Sequence, residues 1–163
     1  MCWICRITAA GNTDAAIFVI AWFLGEADIA LRDTFTGAET NAMYLADVNL
    51  DGGYDEKDHV GAGYKLYCLT TNNSFSCGNL MPAACQSSGK VTLIGQTTGG
   101  GACAVLPCTT AAGTVFQISG NRQISIIKNG SFYNTGIEPA FFLDKPESFY
   151  DRPAFVEYLH ELK

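Results

Sequence analysis

"NNSFSCGN" (residues 72–79) follows the apolar run "YKLYCL" (64–69) after only Thr70 and Thr71 and leads directly into "LMPAAC" (80–85). The first run has the length and composition of a buried strand, and the segment from Ser76 to about Gln86 reads as a helix. A strand that hands over to a helix through so short a turn predicts an α/β layered domain. Ser76 stands where that helix starts. The first N–H groups of a helix have no partner within it, so a hydroxyl held beside them faces ready donors for a developing oxyanion. Cys77 and Gly78 are small enough to let a carbonyl approach. The same position also suits a plain helix cap, from Ser74 or from Ser76. A nucleophilic serine requires a base as well, and this turn contains none. On this stretch alone both readings stand.

Outward from the turn, the pattern of strand and helix continues. "CWICRIT" (2–8) reads as a buried strand, and "TDAAIFVIAWFLG" (13–25) as a helix capped by Asn12 or Thr13, stopped by Gly25 and buried on most sides. A polar connection (26–46) precedes an acidic loop, and Pro82 limits or bends the helix after Ser76. "KVTLIG" (90–95) is a further strand, followed by a flexible turn, "QTTGGGA" (96–102). From Cys103 to about Phe132, short β-type runs alternate with turns at "AAG", "SGN" and "KNG". "RPAFVEYLHEL" (152–162) closes the chain as an amphipathic helix with Asp151 as cap and Pro153 in its first turn. The expected organisation is one domain, a core over 1–145 carrying the acidic loop, with 146–163 as a helix packed on it.

Composition narrows the function classes. The 163 residues suffice for a real core, and 48% hydrophobic against 16% charged leaves little room for long disordered stretches. A net charge of −6 without any Lys/Arg run excludes a phosphate-backbone partner, so no nucleic acid is expected. The longest apolar stretch, "AAIFVIAWFL" (15–24), is too short to span a bilayer. No export signal precedes it, and Met1 lies almost inside the first strand, so the expectation is either a domain cut from something longer or a natural protein that is truncated. Location stays open. The seven cysteines (2, 5, 68, 77, 85, 103, 108) are odd in number and lack zinc-site spacing, which predicts free thiols in reducing surroundings.

"DVNLDGGYDEKD" (47–58) matches D-x-N-x-D-G with a closing acid at position twelve. Calcium takes six to eight hard oxygens, and this spacing offers them from one loop: Asp47, Asn49, Asp51, the Gly53 carbonyl, Asp55 through water, and Asp58. Gly52 permits the tight turn. Five of the chain's sixteen acids fall here, and their repulsion favours a structural cation. The other reading is a solvated acidic turn, since "HVGAG" (59–63) makes a poor second helix.

"CLTTNNSFSCGN" (68–79), "IGQTTGGGA" (94–102) and "GIEPA" (136–140), in this order and at these intervals, resemble the catalytic core of the C-terminal-processing (tail-specific) and tricorn-type serine peptidases. The resemblance covers most of 1–145. It implies a ClpP/crotonase-like fold of layered β-sheet with flanking helices. It also implies a peptide or protein substrate and a nucleophile at Ser76 rather than Ser74. Cys77 N–H would be one oxyanion donor, and Gly11, in "RITAAGNTD" (6–14), the second. The departures are specific. Gly101 stands about where the lysine-using branch has its base, and the tricorn-like branch draws a histidine from upstream of this segment. The family's closing Pro-Asp is Pro139-Ala140. His59 and His160 are expected on the surface. The resemblance therefore implies either a peptidase whose base comes from a missing N-terminal part or a partner subunit, possible in a homo-oligomer, or a peptide-binding module that kept the fold and lost the chemistry.

Overall fold

The computed structural model describes residues 2–6, 11–126, 135–143 and 151–162. Four strands, β1 (Cys2–Arg6), β4 (Lys65–Thr70), β5 (Val91–Gly95) and β8 (Phe141–Phe142), form a parallel sheet in the order β1-β4-β5-β8. The other four, β2 (Ala27–Asp33), β3 (Glu39–Tyr44), β6 (Cys103–Thr109) and β7 (Val115–Ile126), form an antiparallel sheet in the order β3-β2-β7-β6. Helices α1 (Thr13–Leu24) and α2 (Cys77–Ser88) pack on one face of the parallel sheet, and α3 (Arg152–Glu161) on the other.

The alternation along β4 shows why the sheet is covered twice. Leu66 and Cys68 join Ile20, Leu24, Leu80 and Cys85 of the two helices, whereas Tyr67 and Leu69 join Ile94, Phe155 and Leu159. Successive side chains point to opposite faces, so a strand buried along nearly its whole length needs a layer on each side. Ala27, Ile29 and Ile126 then bring the antiparallel sheet into the first of these clusters. Each such aliphatic side chain contributes about 1.5–3 kcal/mol by leaving water, enough for the two clusters to hold the layers together.

Several expectations are corrected. The stretch 26–46 is not a polar connection but the β2–β3 hairpin. Asp33 makes its turn, with Oδ1 accepting the Phe35 and Thr36 N–H groups at 2.9 Å each. Those donors hold the Asp33 carboxyl below its usual range, more than burial raises it. The "SGN" turn does not exist: β7 runs straight through it, and Gly120 is there because a Cβ would meet the Ala104 carbonyl at 3.1 Å. Helix α1, capped by Asn12 Oδ1 on Ala15 N–H at 3.0 Å, buries Ile17, Ile20, Ala21, Phe23 and Leu24 but leaves Phe18 and Val19 exposed. The "KNG" turn lies outside the described residues, as do the side chains of Cys2 and Cys5; the other five cysteines are free thiols.

Candidate active site

The turn at 71–76 leaves the carboxyl end of β4 between the layers. It is wired on both sides. Gln96 N–H donates to the Thr70 carbonyl at 2.9 Å, Thr70 Oγ1 to the Gln96 carbonyl at 2.7 Å, and Gly99 N–H to the Ser74 carbonyl at 2.9 Å. Ser74 is buried, and its hydroxyl accepts Thr71 N–H at 3.1 Å, so it ties the turn together and is not the helix cap.

Ser76 is not a cap either. It precedes α2 with φ 59° and ψ −122°, and its side chain makes no capping bond. A non-glycine residue in that region costs of order 1–3 kcal/mol and persists only where its surroundings over-determine it. Here they do: Ser76 N–H donates to the Gly100 carbonyl at 2.8 Å, and the Ser76 carbonyl accepts Asn79 N–H at 2.8 Å. Gly78 N–H turns back to the Phe75 carbonyl at 3.0 Å. Cys77 N–H donates to no group among the described residues. The strained backbone thus puts a hydroxyl that makes no capping bond beside an amide with no partner among the described residues, at a helix start whose dipole favours negative charge.

The Cys77 thiol donates to the Gly11 carbonyl at 3.1 Å and lies 3.7 Å from Thr13 Oγ1. The three residues the sequence singles out, Ser76, Cys77 and Gly11, therefore line one open cavity of about 310 Å³. Leu31, Leu80, Val105 and Ile124 form its apolar walls and Arg122 is its single charged residue among those described. Leu31, Val105, Arg122 and Ile124 belong to the antiparallel sheet. Sequence reasoning missed them because nothing local ties them to the turn.

The glycine-rich loop is shaped by Phe75. Gly101 has φ +81°, and a Cβ there would lie 2.5 Å from the Phe75 ring, so no longer side chain fits at this position as it stands. Thr98, buried in the same loop, donates from Oγ1 to Asn79 Oδ1 at 2.5 Å and accepts Ile137 N–H at 2.6 Å, locking α2 to the loop and to the segment before β8.

His59 is not the surface residue expected. It is half-buried, its ring lies against Gly25 and Gly61, and its Nε2 is buried without a partner among the described residues. It packs at the far end of α1 from Cys77, one twelve-residue helix away or roughly 18 Å at 1.5 Å per residue. His160 is exposed on α3. Neither lines the cavity.

The acidic loop is a separate structure. Asp47 accepts the Asp51 and Gly52 N–H groups at 3.2 and 2.9 Å, Asn49 Oδ1 accepts Asp51 N–H at 2.9 Å, and Asp51 Oδ1 accepts Gly53 N–H at 2.9 Å. Asp55 accepts Lys57 N–H at 2.7 Å. Asp58 is buried and accepts N–H from Val48 at 2.8 Å, Asn49 at 3.3 Å and Asp55 at 3.0 Å. The Asp55 N–H bond is the largest cause holding the Asp58 carboxyl below its usual range; burial opposes it. Among the described residues no three His, Cys, Asp or Glu side chains are gathered as a metal site.

The model of peptidase family S41 matches residues 8–141. The chain belongs to peptidase family S41. A curated protein of Chlamydia pneumoniae is 31% identical over 155 residues, an alignment covering 83% of this chain and 23% of that protein. Among solved structures, the photosystem II D1 C-terminal processing protease matches 88% of this chain and 34% of its own, at a TM-score of 0.64 and 15% identity. A lipoprotein from Streptococcus agalactiae matches 96% of this chain and 55% of its own, at a TM-score of 0.65 and 13% identity. The α/β architecture expected from the resemblance is thus the fold of an S41 core, and the chain spans about a quarter to a half of the length of these relatives. Among the described residues no helix is long and apolar enough to cross a membrane.

Proposed function

We propose that this segment is the nucleophile-bearing part of a serine peptidase. Ser76 Oγ would attack a peptide carbonyl while its proton passes to a base, and the oxyanion would be held by Cys77 N–H with Gly11 as the second donor. Collapse expels the amine with that proton, and water then hydrolyses the acyl-enzyme. One observation carries this reading: the positive φ of Ser76 holds a hydroxyl that makes no capping bond, and an amide that donates to no described group, at the mouth of one cavity. The base would come from residues outside this segment or from a second subunit, because Gly101 is covered by Phe75 and neither histidine lines the cavity. A fluorophosphonate probe should label the full-length protein and spare its Ser76→Ala form; no labelling of either refutes the reading.

The covered Gly101 also favours a second reading, a peptide-binding module with no turnover. Peptide binding that survives Ser76→Ala, with no hydrolysis by the full-length protein, would support it.

For the acidic loop we propose a structural calcium held by Asp47, Asn49, Asp51 and Gly53, with Asp55 through water and Asp58. It is favoured by the side chains of Asp47, Asn49 and Asp51 all folding around the 51–53 backbone. Asp58 would have to share oxygens now bonded to three N–H groups. Calcium that fails to raise the Tm of EDTA-treated protein rules it out.

A further inference from the structure

We propose that Thr98 is a positioning residue for Ser76, carrying the placement of the segment before β8 through to the serine hydroxyl. The inference rests on the reading of Ser76 as a nucleophile.

"IGQTTGGGA" (94–102) and "GIEPA" (136–140) supply no reacting group to the chemistry derived above. They meet at Thr98. Its N–H donates to the Ile137 carbonyl at 3.0 Å, and its Oγ1 accepts Ile137 N–H at 2.6 Å. Gly136 permits that approach: its φ is +96°, and a Cβ there would stand 2.2 Å from the Thr98 carbonyl oxygen.

Two routes lead from Thr98 to Ser76. Along the chain, Gly99 N–H donates to the Ser74 carbonyl at 2.9 Å, and the Gly100 carbonyl accepts Ser76 N–H at 2.8 Å. Through space, Thr98 Oγ1 donates to Asn79 Oδ1 at 2.5 Å, and Asn79 N–H donates to the Ser76 carbonyl at 2.8 Å. Ser76 is thus gripped by its N–H and by its carbonyl, and both grips trace back to one residue.

Thr98, Asn79 and Ile137 are all buried, so a bond lost among them leaves a polar group unpaired away from water. A hydroxyl donates and accepts at once; valine has the shape of threonine and neither capacity. Ser76 keeps its positive φ only while its surroundings impose it, so slack in these bonds moves Oγ. A displacement of about 1 Å at a reacting atom costs about a hundredfold in rate.

The test follows fluorophosphonate labelling of Ser76 in the full-length protein against probe concentration, which separates the limiting rate from the half-saturating concentration. Thr98→Val should lower the limiting rate about a hundredfold and leave the half-saturating concentration unchanged. Thr98→Ser, which restores the hydroxyl, should recover most of the loss. Asp58→Ala, destabilised away from the cavity, is the control and should label like the parent. Where Thr98→Val does not fold, Asn79→Ala takes its place: it keeps both Thr98–Ile137 bonds and should still slow the limiting rate. The role of Thr98 is overturned by a replacement that labels at the parent's rate, by a change confined to the half-saturating concentration, or by a loss that Thr98→Ser does not recover. Each of those outcomes leaves Ser76 a nucleophile. No labelling of the parent overturns the nucleophile itself, and this inference with it.

Discussion

The turn at 71–76 and the acidic loop at 47–58 share a rare local feature. Each holds one non-glycine residue at positive φ, Ser76 at 59° and Leu50 at 60°. They differ in what holds it there. Around Leu50 the bonds are local, running from Asp47, Asn49, Asp51 and Asp58 to N–H groups within the same twelve residues. Around Ser76 they run to a loop more than twenty residues away, at Gly99 and Gly100. A strained residue fixed by its own loop can be an accident of tight turning. One fixed by distant structure, with its side chain facing a cavity, is what a site requires.

The sharpest way to break that contrast is at Gly101. Gly101→Ala places a Cβ in the Phe75 ring at positive φ and should destabilise the domain by about 3 kcal/mol or more in urea titration. Adding Phe75→Ala should recover part of the loss. A Gly101→Ala protein as stable as the parent would mean that the loop does not press on the serine turn.

Asp58 is the corresponding point in the acidic loop. Asp58→Ala removes the acceptor of three N–H groups and should lower the Tm more than Asp55→Ala, while leaving fluorophosphonate labelling of Ser76 in the full-length protein unchanged. Loss of labelling would show that the two regions are coupled after all. The pH dependence follows from the same bonds. The carboxyls of Asp33, Asp55 and Asp58 are all held below their ordinary value, so the unfolded chain takes up protons first. Their contribution is whole above about pH 4 and is lost as pH falls through the depressed folded values. Asp58→Asn should flatten the acid limb of a Tm–pH curve; an unchanged limb would remove Asp58 from the account.

The smallest effects come from relieving strain. Leu50→Gly and Ser76→Gly should each stabilise by up to about 1 kcal/mol, less the entropy that glycine adds to the unfolded chain. Ser76→Gly should also outperform Ser76→Ala, since alanine keeps the Cβ. Equal Tm values for those two variants would argue against strain at the serine.

The strand, turn and helix around Ser76 were legible because each is a contiguous run with its own signal: apolar, then Ser/Asn/Gly, then apolar at helical spacing. The hairpin at 27–44 was not, because β3 turns almost all of "ETNAMY" to solvent and so lacks a buried face to set a period. Pairing with β2 makes it a strand, and that pairing is invisible locally. At the site, Ser76, Cys77 and Gly11 could be named from sequence through resemblance. The packing of Phe75 on Gly101 and the arrival of Arg122 could not, since both depend on contacts between segments far apart in the chain.

Because β4 lies inside its sheet with helices on both faces, the main chain that delivers Ser76 belongs to the part of the molecule that lets go last. Amide protons of Tyr67 to Thr70 should exchange with solvent only when the entire domain opens, and reactivity at the serine should disappear in step with them. Partial melting of the β6–β7 ribbon or of α3 would then leave the hydroxyl displayed, so heat inactivation should be a single event and not a gradual decline.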